Sequence, residues 1–278
     1  MNAFLTVAHL TLHEAMRRRI LLAALICGLA FLALFGTGLH FMLLDVGRNS
    51  TVTLVQQRLI TNMFTLAGLY AVNFLTVMTA VLLPVDALSG EIASGVIQTV
   101  ASKPLRRSSI VLGKWAAYVT LVAGYLVLLG GGLLVVTKVR ANFTPPNVHI
   151  GLPLLLLEGI VLVTVSIAGG TRLSTVTNGV TAFGLYGLAF IGGWVEQIST
   201  FTSNEAARDV GVVASLILPT ESLWQLAAHH MQPPILAQLS ATPFSPASVP
   251  SPAMVVWAAA YVVVVLAIGL RGFAKRPL

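Results

Sequence analysis

Charge is scarce in this chain. Only 9% of its 278 residues are Asp, Glu, Lys or Arg, where soluble domains carry about 25%. No polar stretch is long enough to build a core of its own, which excludes a separable aqueous domain. Carboxylates are scarcest, nine against sixteen Lys and Arg, for a net charge of +7. That excess does not mark a nucleic-acid binder, because the basic residues cluster at the ends of apolar runs, the signature of membrane orientation. A single cysteine, Cys27, excludes an intrachain disulfide, and its place inside an apolar run reads as a small core residue. The phosphate-binding loop GxxxxGK[ST] is absent: the Gly113–Lys114 pair follows an apolar helix start, not a glycine-rich turn after a strand. No nucleophile–base pair, metal cluster or carboxylate dyad suggests catalysis. No cleavable leader is expected, since the first apolar run starts only at Ile20 and is too long for one.

Apolar sequence is what the chain has in quantity: 56% hydrophobic residues and a mean hydropathy of +0.90. The expected fold is an all-α integral membrane protein, a single transmembrane domain over 1–278. Six stretches, at about 20–41, 59–84, 115–136, 151–170, 179–195 and 253–270, are each long enough to cross a hydrocarbon core of about 30 Å at 1.5 Å per residue, or nearly so. Glycines in the third (130–132) and fifth allow close helix approach. Residues 2–19 carry a polar stripe of Asn2, Thr6, His9, His13 and Arg17 opposite Phe4, Ala8 and Ala15, which predicts a helix lying in the interface and ending at Arg17, Arg18 and Arg19. His9 and His13 have i,i+4 spacing but no third ligand, so a solvated polar face is the expectation. In the long stretch 196–252, apolar 210–218 stops at Pro219 and can form a re-entrant hairpin. Beyond it, 224–228 suggests an interfacial helix, and Pro243, Pro246, Pro250 and Pro252 an irregular tail. Trp194, Trp224 and Trp257 read as interfacial belt residues.

Six crossings put both termini on one side. The terminal segments, the 86–114 loop and the Arg172 turn hold eleven Lys and Arg; the opposite loops hold Arg48, Arg58, Lys138, Arg140 and Arg208. The positive-inside rule then predicts both termini and the 86–114 loop in the cytoplasm and 196–252 outside, in a cell inner or plasma membrane.

The 86–114 loop is the most informative segment. Asp86, Glu91, Lys103, Arg106, Arg107 and Lys114 would together cost on the order of 15–20 kcal/mol to bury in lipid, at roughly 2.5–3.5 kcal/mol each, so the loop is expected to face water. Residues 88–101 predict a short amphipathic helix with Ile92, Val96, Ile97 and Val100 on one face, ended by Lys103–Pro104. Ser108 or Ser109 is the expected cap of the next helix, and Asp86 the cap of the loop helix. Lys103, Arg106 and Lys114 read as solvated cations. Glu91 opposes the basic bias of the loop and so calls for another role.

Gly90-Glu91-x3-Gly95, Pro104-x-x-Arg107, Ile110 and Gly113-Lys114 stand in the order and spacing typical of ABC-2-type transporter permeases. The layout of an interfacial helix, six spans and Pro219-Thr220-x-x-Leu223-Trp224 before the last span is similar too, most of all to the small six-span permeases of the multicopper-enzyme-maturation group. The resemblance implies a homodimer of permeases around a central pathway, with two copies of a separate ATPase beneath it. ATP and Mg would bind that ATPase, and no cofactor this chain. It makes Glu91, Gly95, Pro104, Arg107, Gly113 and Lys114 the coupling set, with the helix from Glu91 seated in a groove of the ATPase.

Glu158 reads as the only carboxylate well inside a span, about eight residues or roughly 12 Å from its outer edge. Substrate contact, a proton relay and pairing within the bundle all remain open for it. His229, His230 and Met231 have copper-compatible side chains, but adjacent residues seldom complete a site and no metal is expected. Two functions fit: an exporter moving a substrate outward on ATP hydrolysed by its partner, or a non-transporting relay that passes that work to an extracytoplasmic partner. In either, membrane lipid surrounds the chain, nucleic acid is not a partner and the chain alone is not an enzyme.

Overall fold

The computed structural model describes residues 3–48, 53–97, 106–202, 205–233 and 249–276. Every regular element among them is helical: α1 (Ala3–Met16), α2 (Arg19–Arg48), α3 (Leu54–Leu82), α4 (Ser89–Ala93), α5 (Arg107–Ala141), α6 (Val148–Gly170), α7 (Thr175–Thr202), α8 (Glu205–Ile217), α9 (Thr220–His230) and α10 (Ala253–Ala274).

Five of these, α2, α3, α5, α6 and α10, are long and apolar enough to cross a membrane, and α8–α9 would add a sixth if that bent pair is one broken span. The chain is thus compatible with a multi-pass membrane protein. The stretch expected to cross at 179–195 lies in α7, which is long enough at 28 residues but is not among the five. Its glycines and the polar Tyr186, Glu196 and Gln197 lower its hydropathy.

Helices α3 and α6 form the centre, with 61% and 67% of their most apolar stretches buried, while α2 and α10 are peripheral at 17%. A helix that is apolar all round has no polar face to give to water. The outer faces of α2 (Leu22, Ile26, Leu29, Leu34) and α10 (Val256, Val263, Val264) are exposed and apolar, as lipid contact requires. Cys27 is on this exposed side of α2, so it is not the core residue expected: apolar neighbours in sequence mark lipid-facing and core positions alike. Hydrogen bonds also join neighbouring helices. Tyr125 donates to Ala24 O at 2.8 Å, tying α5 to α2, and Trp115 donates to Thr164 Oγ1 at 2.9 Å, tying α5 to α6.

Helix ends overrun the expected spans. α2 continues to Arg48 and α3 begins at Leu54, not near 59, because Thr53 and Gln56 form a reciprocal capping box. α5 begins at Arg107, capped by extended Arg106 with no side-chain bond, so neither Ser108 nor Ser109 is the cap.

The largest departure lies in 205–230. α8 and α9 meet at Leu218–Pro219 with a bend of 103°. α9 is not an interfacial helix: every residue from Thr220 to Ala228 is buried, against α6 and α7. Trp224 is 4% exposed and stacks edge-on to Tyr70 of α3 at 5.0 Å, a core residue instead of a belt one. Trp257 does sit at the periphery, donating to Leu216 O at 3.1 Å.

Cross-helix bonds fix which helix ends meet. Arg18 with Asp86, Asn178 with Val85, Arg276 with Thr171 and Arg107 with Ala274 gather at one end. Asn62 with Met231 and Asn147 with His230 gather at the other. α1 and the end of α10 therefore share one end of the bundle, with the loop after α3.

Candidate functional site

The charged loop is folded back onto the bundle. Leu83, Ala87 and Leu88 have no exposed surface and Ile97 has 1%, so apolar anchors hold both arms of a segment expected to lie wholly in water. The expected helix 88–101 is broken. α4 spans five residues, and Gly95 then adopts φ +76°, a left-handed conformation that glycine takes without a Cβ clash. The break puts Val96 at 48% exposure and Ile97 inside, so they do not share one face. Ala93, Ser94 and Val96 form the exposed tip. Pro104, Lys103 and Val100 lie outside the described residues.

Three pairings brace this tip. Lys114 is 5% exposed, and its Nζ meets Glu91 Oε1 at 2.5 Å. It is not a solvated cation: two turns into α5, its ammonium is buried against that carboxylate. Asp86 does not cap α4, whose N-cap is Leu88 with no side-chain bond; its carboxylate meets Arg18 at 2.5 Å, and Arg18 also pairs with Glu14 at 2.6 Å. Partial burial works against the Arg18 charge. The Glu14 hydrogen bond, the Tyr118 ring and Asp86 outweigh it and hold the guanidinium above its ordinary pKa. Ser89 Oγ and Thr175 Oγ1 share a hydrogen bond of 2.9 Å, linking α4 to α7.

The other coupling-set residues serve helix contacts. At Gly113, α1 crosses α5 so closely that a Cβ would lie 2.8 Å from Val7 and 3.0 Å from Phe4 O. Arg107 donates to Ala274 O at 3.0 Å and Arg276 O at 2.8 Å, closing the end of α10. The structure thus brings Glu91 and Lys114 together and sets Gly95, Arg107 and Gly113 around the same end.

A second polar cluster lies mid-bundle. Glu158 of α6 is 1% exposed and its Oε1 accepts from Asn73 Nδ2 of α3 at 3.2 Å. Its electrostatic neighbour is Glu221 of α9, 9% exposed, which hydrogen-bonds Gln225 one turn on. Glu158 is therefore not the one carboxylate inside: Glu221 joins it because α9 folds inward. Tyr70 of α3 and Tyr186 of α7 lie near both carboxyl groups. Gly193 of α7 admits the acid, since a Cβ there would lie 2.1 Å from Glu221 Cγ. Glu158 Oε2, Asn73 Oδ1 and Gln225 Oε1 have no protein partner among the described residues. Such a set of oxygens can accept hydrogen bonds from a polar group passing between α3, α6 and α9. The sequence signal was present: Glu221 and Gln225 share a face at i,i+4, next to the Pro219–Thr220 turn.

Met231 is fully buried with its sulfur packed under Gly151, and its carbonyl accepts from Asn62. His229 and His230 stand edge to face at 5.8 Å, the latter's carbonyl bonded by Asn147. His13 Nδ1 lies 3.2 Å from His9 O, on the exposed side of α1. Among the described residues, no three His, Cys, Asp or Glu come together as a metal site. No protein-family model matches the chain, and no curated protein matches it.

Proposed function

We propose that the chain is the membrane permease of an ATP-driven exporter whose nucleotide-hydrolysing subunit is a separate polypeptide, of the ABC-2 type its loop motif resembles. The observation that carries this reading is the bracing of the 93–96 tip. Glu91–Lys114, Asp86–Arg18 and Ser89–Thr175 connect the segment leading into one exposed turn to α5, the α1–α2 junction and α7. A push on that turn is therefore delivered to the helices at these three points instead of being absorbed by a soft loop. Two copies, with two ATPase subunits beneath, form the working unit, and termini and tip face the cytoplasm by the positive-inside rule. ATP binding favours one arrangement of the pair only through differential affinity of the ATPase for the two. The mid-bundle oxygens around Glu158 and Glu221 are the polar contacts offered to a substrate.

The relay reading is favoured by a separate feature: α8 exposes Val210, Val213 and Ile217 along one side, an apolar stripe at the end of the fold opposite the tip. One experiment separates the two. The chain is purified from its own membrane with any ATPase that binds it, reconstituted in vesicles, and ATP-dependent flux and hydrolysis are measured. Flux supports export. Hydrolysis without flux, stimulated by an added extracytoplasmic protein, supports the relay. A chain that binds no ATPase refutes both.

A further inference from the structure

The corner where α6 turns into α7 and α10 ends is basic and open. Thr171, Arg172, Gly272, Lys275 and Arg276 line a cavity of about 320 Å³, and Arg107 stands beside it through its bonds to Ala274 O and Arg276 O. Among the described residues, no carboxylate lines it and none of these four cations is ion-paired.

The ordinary use of a cation at a helix C-terminus is to satisfy the last carbonyls. That accounts for Arg107, and for the Arg276 nitrogen that donates to Thr171 O at 2.6 Å. It leaves Arg172 and Lys275, both exposed. Arg172 is nonetheless held in place. Its side chain lies across α10 so closely that a Cβ on Gly272 would be 3.0 Å from Arg172 Nε. A guanidinium fixed by packing, beside an ammonium and an open volume, is suited to a phosphate. On the same side of α10 as Lys275, the exposed Arg271 stands one turn back, and Ile268 and Val264, about two and three turns back, are exposed and apolar at 54% and 56%. Beyond Arg271 the headgroup-sized cavity is thus followed by a surface fit for an acyl chain, which a soluble anion would not use.

We propose that this corner binds one anionic phospholipid, its phosphate held by Arg172 and Lys275 and its tail lying along Ile268 and Val264. The proposal rests on the membrane reading and is independent of any ATPase. Basic pockets between helices at a membrane face bind acidic headgroups in this way. Its test is a titration of the purified chain in neutral detergent with phosphatidylglycerol, phosphatidylcholine or inorganic phosphate, read by intact-complex mass spectrometry and thermal shift. Wild type binds phosphatidylglycerol roughly tenfold more tightly than phosphatidylcholine. Arg172→Gln with Lys275→Gln abolishes most of that preference, while Arg48→Gln with Arg58→Gln, the same charge change at the opposite end, leaves it intact. Arg172→Lys with Lys275→Arg retains part of it. If the double variant does not fold, Lys275→Gln alone, at an exposed position, still lowers the preference at least about twofold. Equal binding of the two lipids, equal loss in the opposite-end control, or inorganic phosphate matching phosphatidylglycerol would each overturn the proposal, the last by assigning the corner to a free anion.

Discussion

The Glu91–Lys114 pair allows one perturbation to be followed from geometry to function. The side chains are 18% and 6% exposed and their charged atoms are 2.5 Å apart. Two unit charges about 4 Å apart attract by about 4 kcal/mol at an effective dielectric of 20, and desolvation cancels much of that. Removing one partner is different, because the other charge stays buried and alone, at about 3–5 kcal/mol. Lys114 can lean toward the end of α5 to reach water, so Glu91→Leu is expected to fall at the low end, about 2–3 kcal/mol. Adding Lys114→Met removes the orphan charge and should return stability to within about 1 kcal/mol of wild type. The assay is a four-corner cycle of SDS-titration unfolding in mixed micelles, followed by tryptophan fluorescence. Glu91→Leu within about 0.5 kcal/mol of wild type, or a double variant no better than the worse single, would refute the reasoning. The same four proteins then ask what Glu91 is for. Glu91→Ala and Glu91→Leu should weaken ATPase docking or uncouple hydrolysis. If Glu91 touches the ATPase, the double variant stays uncoupled although its stability returns; if Glu91 acts only as an internal brace, coupling returns with stability.

Three further outcomes are expected. Gly95→Val forces a β-branched residue to φ +76° and should destabilise the tip by about 1–3 kcal/mol, seen as faster limited proteolysis within 91–97, with Gly95→Asn milder; equal protease resistance in all three proteins would count against the left-handed turn. Gly193→Leu drives a side chain into Glu221 and should lower bundle stability by about 1–3 kcal/mol, whereas Glu158→Gln keeps an acceptor for Asn73 and leaves stability nearly unchanged while reducing flux. A Glu158→Gln protein that transports normally removes Glu158 from the pathway. Ser94→Cys and Lys275→Cys, which share one end of the bundle, should be labelled from the same side of sealed vesicles and Arg140→Cys from the other; labelling of Ser94→Cys and Arg140→Cys from one side would overturn the topology.

Much of the architecture was legible in the residues alone. Scarce charge and long apolar runs identify a helical membrane-compatible chain, because the transfer cost of a buried charge dominates every local preference. The α3 start was also written in the sequence, as Thr53-x-x-Gln56, since a capping box acts over three residues. Gly95 was picked out by its motif, though not as the helix breaker it proves to be. Lys114 could not be distinguished from its solvated neighbours, as nothing local says that α5 starts at Arg107 and carries position 114 inward.

Composition determined the class, the approximate helices and the basic bias of the segments that gather at one end. Tertiary structure alone decided that α9 turns inward to set Glu221 near Glu158, that Trp224 is core and Cys27 exposed, and that Glu91 is partnered by Lys114 and Asp86 by Arg18. The physical reason is one of range. Transfer energy and capping are sums over neighbours in the chain, which a sequence displays. A buried charge or a packed glycine is settled by atoms tens of residues away, whose positions exist only once the helices have met.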